Sequence, residues 1–149
     1  MAELDRLYSE KIIEIAANPP HAPRLAKPQA SVRKVSRICG SAIEVDIVVA
    51  DGVFVAYGHA VSACALGQTS AAIVAARIVG TGVVEFRALR AAMQAMLKEG
   101  GAAPEGRWAE LGYLAPVRDF PNRHGSTLLV FDAVAAALEK IESGQTVGA

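Results

Sequence analysis

The sequence has few cysteines, few aromatic residues and no excess of either charge. Of its 149 residues only 2 are cysteine and 5% are aromatic, and the formal net charge at pH 7 is zero. Two cysteines do not make the disulfide framework of a small secreted domain. A neutral chain also lacks the positive charge that binding to nucleic acid or to anionic lipid requires. We therefore expect a reduced, cytoplasmic protein with no nucleic-acid or membrane partner.

Long apolar runs and the common catalytic motifs are missing as well. The most apolar stretch, residues 53–79, is interrupted by His59, Gln68 and Arg77, so it does not predict a membrane span. The acidic N-terminus has no apolar signal core. The sequence contains no Walker phosphate loop, GxGxxG motif, HExxH motif or Gly-x-Ser-x-Gly elbow. The reaction types that depend on these motifs are not predicted.

What is present is enough apolar sequence for one well-filled core. Apolar residues make up 52% of the chain, which predicts a single domain over residues 1–149. Residues 1–30 are expected to form a helix, at about 4–17, and a connector with prolines at positions 19, 20, 23 and 28. Residues 144–149 are a short tail.

The middle of the chain alternates as strands do, and its second half is helical. Strands are predicted at about 31–38, 42–50 and 53–59, with the last two joined by an Asp51-Gly52 hairpin turn. Helices are predicted at about 63–79, 83–98 and 126–142, with Ser62 as the N-cap of the first of these. The predicted fold class is α+β, with helices packed on a three-stranded antiparallel sheet.

The two cysteines lie at ends of predicted elements. Cys39 ends the first strand beside Gly40, and Cys64 opens a helix, where the helix dipole favours a thiolate. The sheet between them can bring both thiols to one edge, where they would bind a soft metal, with imidazole as a common further ligand. An equally good interpretation makes each cysteine a small core residue.

His124 is the histidine with the most distinctive surroundings. It stands between Arg123 and Gly125 at the start of the last predicted helix. The glycine allows another group to approach closely, and Ser126 can cap the helix. Most histidines in such a position are ordinary loop residues. A weaker alternative pairs His124 with Cys64 as the base and nucleophile of a transfer enzyme, although no group that would orient the histidine is evident.

Four segments, in this order and spacing, resemble the NifU/IscU-type iron–sulfur cluster assembly scaffolds over residues 5–140. The first lies in the N-terminal helix and consists of Leu7-Tyr8-Ser9-Glu10-Lys11-Ile12-Ile13 with the stop at Asn18-Pro19. The other three, read directly from the sequence, are Cys39-Gly40-Ser41, Ala63-Cys64-Ala65-Leu66 and Leu114-Ala115-Pro116-Val117-Arg118.

The resemblance implies a scaffold and not a turnover enzyme. In the family a cysteine desulfurase supplies sulfur, and a labile cluster forms on three cysteines assisted by an aspartate or a histidine. Zinc can occupy the same ligands. Carried over to this chain, the resemblance implies a transient Fe–S cluster or iron on Cys39, Cys64 and His124. It also implies docking of an Hsp70-type chaperone to Leu114–Arg118.

The sequence departs from the family pattern at two ligand positions. Ser41 stands where the family has aspartate, and the place of the third cysteine falls on Ser126 or, with one extra residue allowed, on Gly125. Residues 119–123 look like an insertion. Two thiolates and one imidazole can still hold zinc, or a cluster shared across a homodimer. The alternative is a degenerate relative that acts as a protein-interaction adaptor without metal.

Overall fold

A tight hairpin organises the sheet. The structure, a computed structural model, describes residues 8–38 and 40–144. Asp51 and Gly52 both have positive φ, 53° and 74°, as the turn between two twisted strands requires. In the described residues three antiparallel strands lie in the order β1-β2-β3. They are β1 (Ala30–Ser36), β2 (Ser41–Ala50) and β3 (Val53–Ser62).

Helices pack on one face of this sheet, which confirms the predicted fold class. Ser9 caps the first helix by accepting a hydrogen bond from the Ile12 N–H at 3.3 Å. The predicted start of that helix at residue 4 and the tail from 145 onward lie outside the described residues. Within residues 8–38 and 40–144 the α-helices are α1 (Glu10–Ala17), α2 (Ala65–Arg77), α3 (Val83–Lys98) and α4 (His124–Glu142), and two 3₁₀ helices span Gly106–Asp119 and Pro121–Arg123.

The core lies between one face of the sheet and the helices. Ile43, Val45 and Ile47 alternate along β2 and are buried on this face. Further from the sheet, Phe86 of α3 is fully buried among aromatic rings. Its ring centroid lies 5.5 Å from Phe54, 5.9 Å from Phe131 and 6.5 Å from Trp108. This cluster ties α3 to β3, α4 and the long 3₁₀ helix.

The proline-containing connector crosses the opposite face of the sheet. Asp46 of β2 points to that face, yet its side chain has no exposed surface, because the connector covers it. The carboxylate accepts hydrogen bonds from Arg24 Nε at 2.5 Å and from the Leu25 N–H at 3.0 Å. Gly58 is the neighbour of Asp46 on β3, and a Cβ there would collide with the Pro23 carbonyl. The connector is therefore fixed at its centre.

Two predicted helix caps are wrong, and both errors concern the candidate site. Ser62 is the last residue of β3, and the N-cap of α2 is Cys64. The last helix begins at His124, two residues earlier than predicted, so Ser126 lies inside its first turn and is 1% exposed. These shifts place Cys64 and Ser126 at two neighbouring helix starts.

Candidate functional site

Cys64 lies in a small cluster with two buried hydroxyl groups. Its Sγ is 3.3 Å from Ser126 Oγ, which is in turn 2.9 Å from Ser41 Oγ. Both serines are only 1% exposed, whereas Cys64 is partly exposed. The start of β2, the N-cap of α2 and the first turn of α4 therefore converge on one point.

Glycine makes this convergence possible at two positions. Gly40, with a φ of 68°, turns the chain into β2 immediately before Ser41. Gly67 lies one turn after Cys64 on the side of α2 that faces α4. A Cβ placed on Gly67 would be 2.7 Å from Ser126 Oγ, closer than side chains tolerate. Without a side chain at position 67, the two helix starts come into contact.

The surroundings of Cys64 favour its thiolate. Partial burial raises the pKa of the thiol, but a hydrogen bond from Ser126 acts in the opposite direction. The backbone N–H groups of Gly67 and Leu66 and the positive charge of Arg123 add to that effect. The net result is a Cys64 pKa below its ordinary value. A thiolate at a helix start is both a soft metal ligand and a nucleophile, whereas serine hydroxyls bind soft metals weakly.

His124 is held by backbone carbonyls. Its Nε2 lies 3.0 Å from the Val117 oxygen and 3.2 Å from the Arg118 oxygen. Carbonyl oxygens only accept hydrogen bonds, so Nε2 carries a proton and donates it to them. These two bonds hold the ring at the end of the long 3₁₀ helix through Nε2. The other ring nitrogen, Nδ1, takes no part in them.

The predicted ligand set includes one residue that the structure does not describe. Cys39 lies outside the described residues. Between residues 8 and 144, leaving out 39, no group of three or more His, Cys, Asp or Glu side chains is placed to hold a metal ion. The assignment of Cys39, Cys64 and His124 as ligands therefore stays a prediction.

The residues that look like an insertion border the site. Residues 119–123, together with Ile38, line a cleft of about 490 Å³. Ile38 is 78% exposed, although it is a large apolar side chain one position before Cys39. Arg123, at the end of this segment, lowers the pKa of the Cys64 thiol through its positive charge.

Sequence reasoning missed two residues that shape the site. Gly67 has no side chain that would suggest a role. Its position one helical turn after Cys64 could have indicated a close approach of another element to this helix. Arg123 was noted only as the neighbour of His124. Its influence on Cys64 depends on how α4 packs beside α2, which a single sequence does not show.

The described fold is closely similar to a solved structure of known family. The crystal structure of a nitrogen-fixing NifU-like protein (N-terminal) from Brucella abortus shares 45% sequence identity with this chain, with a TM-score of 0.92. The match covers 95% of this chain and 98% of that one. The chain belongs to the NifU/IscU-type iron–sulfur scaffold family.

A second solved structure has the same NifU/IscU fold, and its low sequence identity supports the fold only, not a function. It is a protein from the thermophile Fervidobacterium islandicum AW-1, described as an iron–sulfur cluster assembly scaffold for the SUF system. It is 18% identical, with a TM-score of 0.80, over 90% of this chain and 98% of that one. No family model and no curated protein matches the chain. Among the described residues of this NifU/IscU-type chain, no helix is long and apolar enough to cross a membrane.

Proposed function

We propose that the chain is an iron–sulfur cluster assembly scaffold that carries iron or an Fe–S cluster as cargo on Cys39, Cys64 and His124. The observation that supports this most is the position of Cys64. It is the N-cap of α2, and its thiol pKa is lowered. It also belongs to a chain whose sequence is 45% identical to that of a NifU-like protein. Zinc would occupy the same ligands.

Each proposed ligand has a distinct role. Cys64 supplies a thiolate that accepts sulfur and binds iron, because thiolates are the preferred ligands of iron–sulfur clusters. Cys39, which precedes Gly40 in the sequence and lies outside the described residues, supplies the second thiolate. His124 supplies Nδ1, since a proton on Nε2, donated to the carbonyls of residues 117 and 118, leaves the lone pair on the other nitrogen.

Ser126 is the better of the two candidates for the place of the missing third cysteine. Its hydroxyl contacts Cys64 Sγ directly, whereas Gly125 is exposed and lies near Ser36 of β1. A hydroxyl at this place donates a hydrogen bond to the sulfur of Cys64 where a third thiolate would bind metal. On this proposal a cluster is held less firmly here than on three cysteines.

The partners proposed for such a scaffold are a cysteine desulfurase, which supplies sulfur, and an Hsp70-type chaperone. The chaperone segment, Leu114–Arg118, belongs to the long 3₁₀ helix. Leu114 and Val117 are fully buried there, and Arg118 is exposed. A chaperone that binds the extended segment therefore has to open this helix locally first.

The competing proposal is a degenerate relative that acts as an adaptor without metal. The observation that favours it is the hydroxyl pair Ser126 and Ser41 beside Cys64, since neither group is a good ligand for a soft metal. In that case the cysteines are dispensable, and binding of the desulfurase is the retained activity.

Metal content under anaerobic conditions separates the two proposals. Iron, acid-labile sulfide and zinc are measured for the wild type, Cys39→Ala, Cys64→Ala and His124→Ala after reconstitution with iron, cysteine, a cysteine desulfurase and a thiol reductant that reduces the persulfide sulfur to sulfide. His21→Ala, in the exposed connector, is the matched control. The scaffold proposal predicts stoichiometric metal in the wild type and the control, and its loss in each ligand variant.

Two results decide against the scaffold. A wild type that stays metal-free after reconstitution contradicts it, as does metal that is retained in all three ligand variants. The adaptor proposal gains support if the metal-free protein binds the desulfurase equally well with and without its cysteines.

A further inference from the structure

The outer edge of β1 has no strand beside it in the described part of the chain. β1 is the first strand in the sheet order and pairs only with β2. The Ile47 carbonyl of β2 accepts a hydrogen bond from the Gln29 N–H, so Ile47 directs its backbone groups toward β1. Its partner in the register is Ala30. Because backbone direction alternates along a strand, Ala30, Val32 and Lys34 face β2, and the residues between them face outward.

A side-chain contact supports this assignment independently. Lys140 Nζ of α4 donates a hydrogen bond to the Ser31 carbonyl at 2.8 Å, so that carbonyl is accessible from the outer side. Arg33 and Val35 follow at intervals of two and have the same orientation. Their N–H and C=O groups form a short open edge that can pair with another strand.

The same edge carries three positive charges. Arg33, Lys34 and Arg37 are all exposed, and none of them has an ion pair or side-chain hydrogen bond with another described residue. The arginines of the connector, α2 and α3 behave differently, since each of them pairs with a carboxylate. Lys27 and Lys98 are also exposed and outside the ion pairs of the described residues, but they lie singly, whereas Arg33, Lys34 and Arg37 lie within five residues of one another.

A groove runs beside this edge. It has a volume of about 440 Å³ and lies between Lys34–Ser36 of β1 and α4, with Leu129, Ala135 and Ala136 among its walls. Two carboxylates also line it, Asp132 and Glu139. Asp132 is ion-paired with Arg90, another lining residue, at 3.0 Å. Glu139 lies near the Ser31 end, because α4 runs from Gly125 near Ser36 to Lys140 near Ser31. The end of the groove near Ser36 lies beside Lys34 and is followed along the chain by Arg37, so it is next to positive charge.

We infer that the β1 edge binds an extended, acidic peptide segment of another protein as a fourth strand. Backbone groups of Arg33 and Val35 would pair with the peptide, and its acidic side chains would lie opposite Arg33 and Lys34. A second copy of this chain fits less well, because pairing two β1 strands brings like charges together. The inference does not depend on the proposed metal ligands.

The test uses the full chain and a synthetic peptide, acetyl-Thr-Val-Glu-Glu-Val-Thr-Val-Thr-amide. A matched peptide has Lys-Lys in place of Glu-Glu. Backbone amide shifts are followed by ¹⁵N NMR during titration. We expect saturable shifts at Arg33 and Val35 with the acidic peptide, slower hydrogen exchange of these two amides, and weaker binding at higher salt.

Variants link the binding to the edge and to its charge. Arg33→Glu combined with Lys34→Glu should weaken binding at least about tenfold. Lys27→Glu combined with Lys98→Glu makes the same change in net charge at exposed sites elsewhere and should bind as the wild type does. Val35→Pro removes an N–H that points outward from the edge but leaves the β1–β2 ladder intact. This variant should abolish peptide binding.

Three outcomes overturn the inference. They are no saturable shift at millimolar peptide, equal binding of the lysine peptide, and concentration-dependent shifts of the same amides without any peptide. The last outcome identifies a second copy as the occupant. The charge-reversal pair keeps the test decisive if Val35→Pro fails to fold, since both of its side chains are exposed on the surface.

Discussion

Asp46→Ala should destabilise the fold by releasing the connector from the sheet. The Asp46 carboxylate is fully buried and accepts four hydrogen bonds, two from Arg24 and one each from the Leu25 N–H and the Ser31 hydroxyl. Arg24 is 42% exposed and regains water when the carboxylate is removed. The Leu25 N–H and the Ser31 hydroxyl lose a charged acceptor. Hydrogen bonds to charged groups contribute roughly 1.5–3 kcal/mol each.

The loss is partly offset, because the variant no longer has to bury a charge. We therefore expect a decrease of about 2–4 kcal/mol in the free energy of unfolding at pH 7. The matched control is Glu44→Ala. Glu44 also pairs with Arg24, at 2.9 Å, but its side chain is 44% exposed. Removing an exposed pair should cost less than about 1 kcal/mol.

The contribution of Asp46 to the free energy of unfolding should depend on pH in a definite direction. Burial raises the pKa of Asp46, but its hydrogen bonds to Arg24, Ser31 and the Leu25 N–H outweigh burial, so the pKa lies below its ordinary value. A carboxyl group whose pKa is lowered by folding stabilises the folded state above its unfolded pKa, about 3.9. That contribution is lost as the pH falls through the lower, folded pKa.

Urea unfolding is the measurement, followed by the fluorescence of Trp108, the single tryptophan, which is 3% exposed. The difference between wild type and Asp46→Ala should be full at neutral pH and should shrink below pH 4. The reasoning is refuted if Asp46→Ala costs no more than Glu44→Ala at pH 7. It is also refuted if the difference widens in acid.

Three further predictions concern the site and the core. Gly67→Ala should push α2 away from Ser126, cost about 1–3 kcal/mol in stability, and reduce metal loading, as measured by urea unfolding and iron content. Ser126→Ala should raise the pKa of the Cys64 thiol and slow its alkylation by iodoacetamide near neutral pH, whereas an unchanged pH profile would exclude the hydrogen bond as a cause. Phe86→Ala should cost about 3–5 kcal/mol because it empties the centre of the aromatic cluster, and a loss below 1 kcal/mol by the Trp108 signal contradicts that packing.

The sheet could be predicted from local sequence because its determinants are local. Asp51-Gly52 specifies a turn with positive φ, and the alternation of Ile43, Val45 and Ile47 specifies which face is buried. The resemblance of short segments to a known family then supplied the arrangement of the helices around the sheet. Both levels of prediction agreed with the structure.

The caps and the contacts of the site were not predictable in the same way. Ser62 is a better intrinsic cap than Cys64, yet β3 continues through residue 62 because Ser62 pairs with Ala42 across the sheet. Ser126 was expected to cap the last helix, but packing of α4 against α2 and β2 gives its hydroxyl two partners instead, the buried Ser41 and the partly exposed Cys64. Such choices depend on tertiary contacts between residues far apart in sequence.

The central claim is that Cys39, Cys64 and His124 bind the metal. Zinc K-edge X-ray absorption of the anaerobically zinc-loaded protein tests it most directly. We expect two sulfur ligands at about 2.3 Å and an imidazole nitrogen at about 2.0 Å, with one sulfur lost in Cys64→Ala and the imidazole signal lost in His124→Ala. A spectrum of oxygen and nitrogen ligands without sulfur, or a protein that retains no zinc, would contradict it.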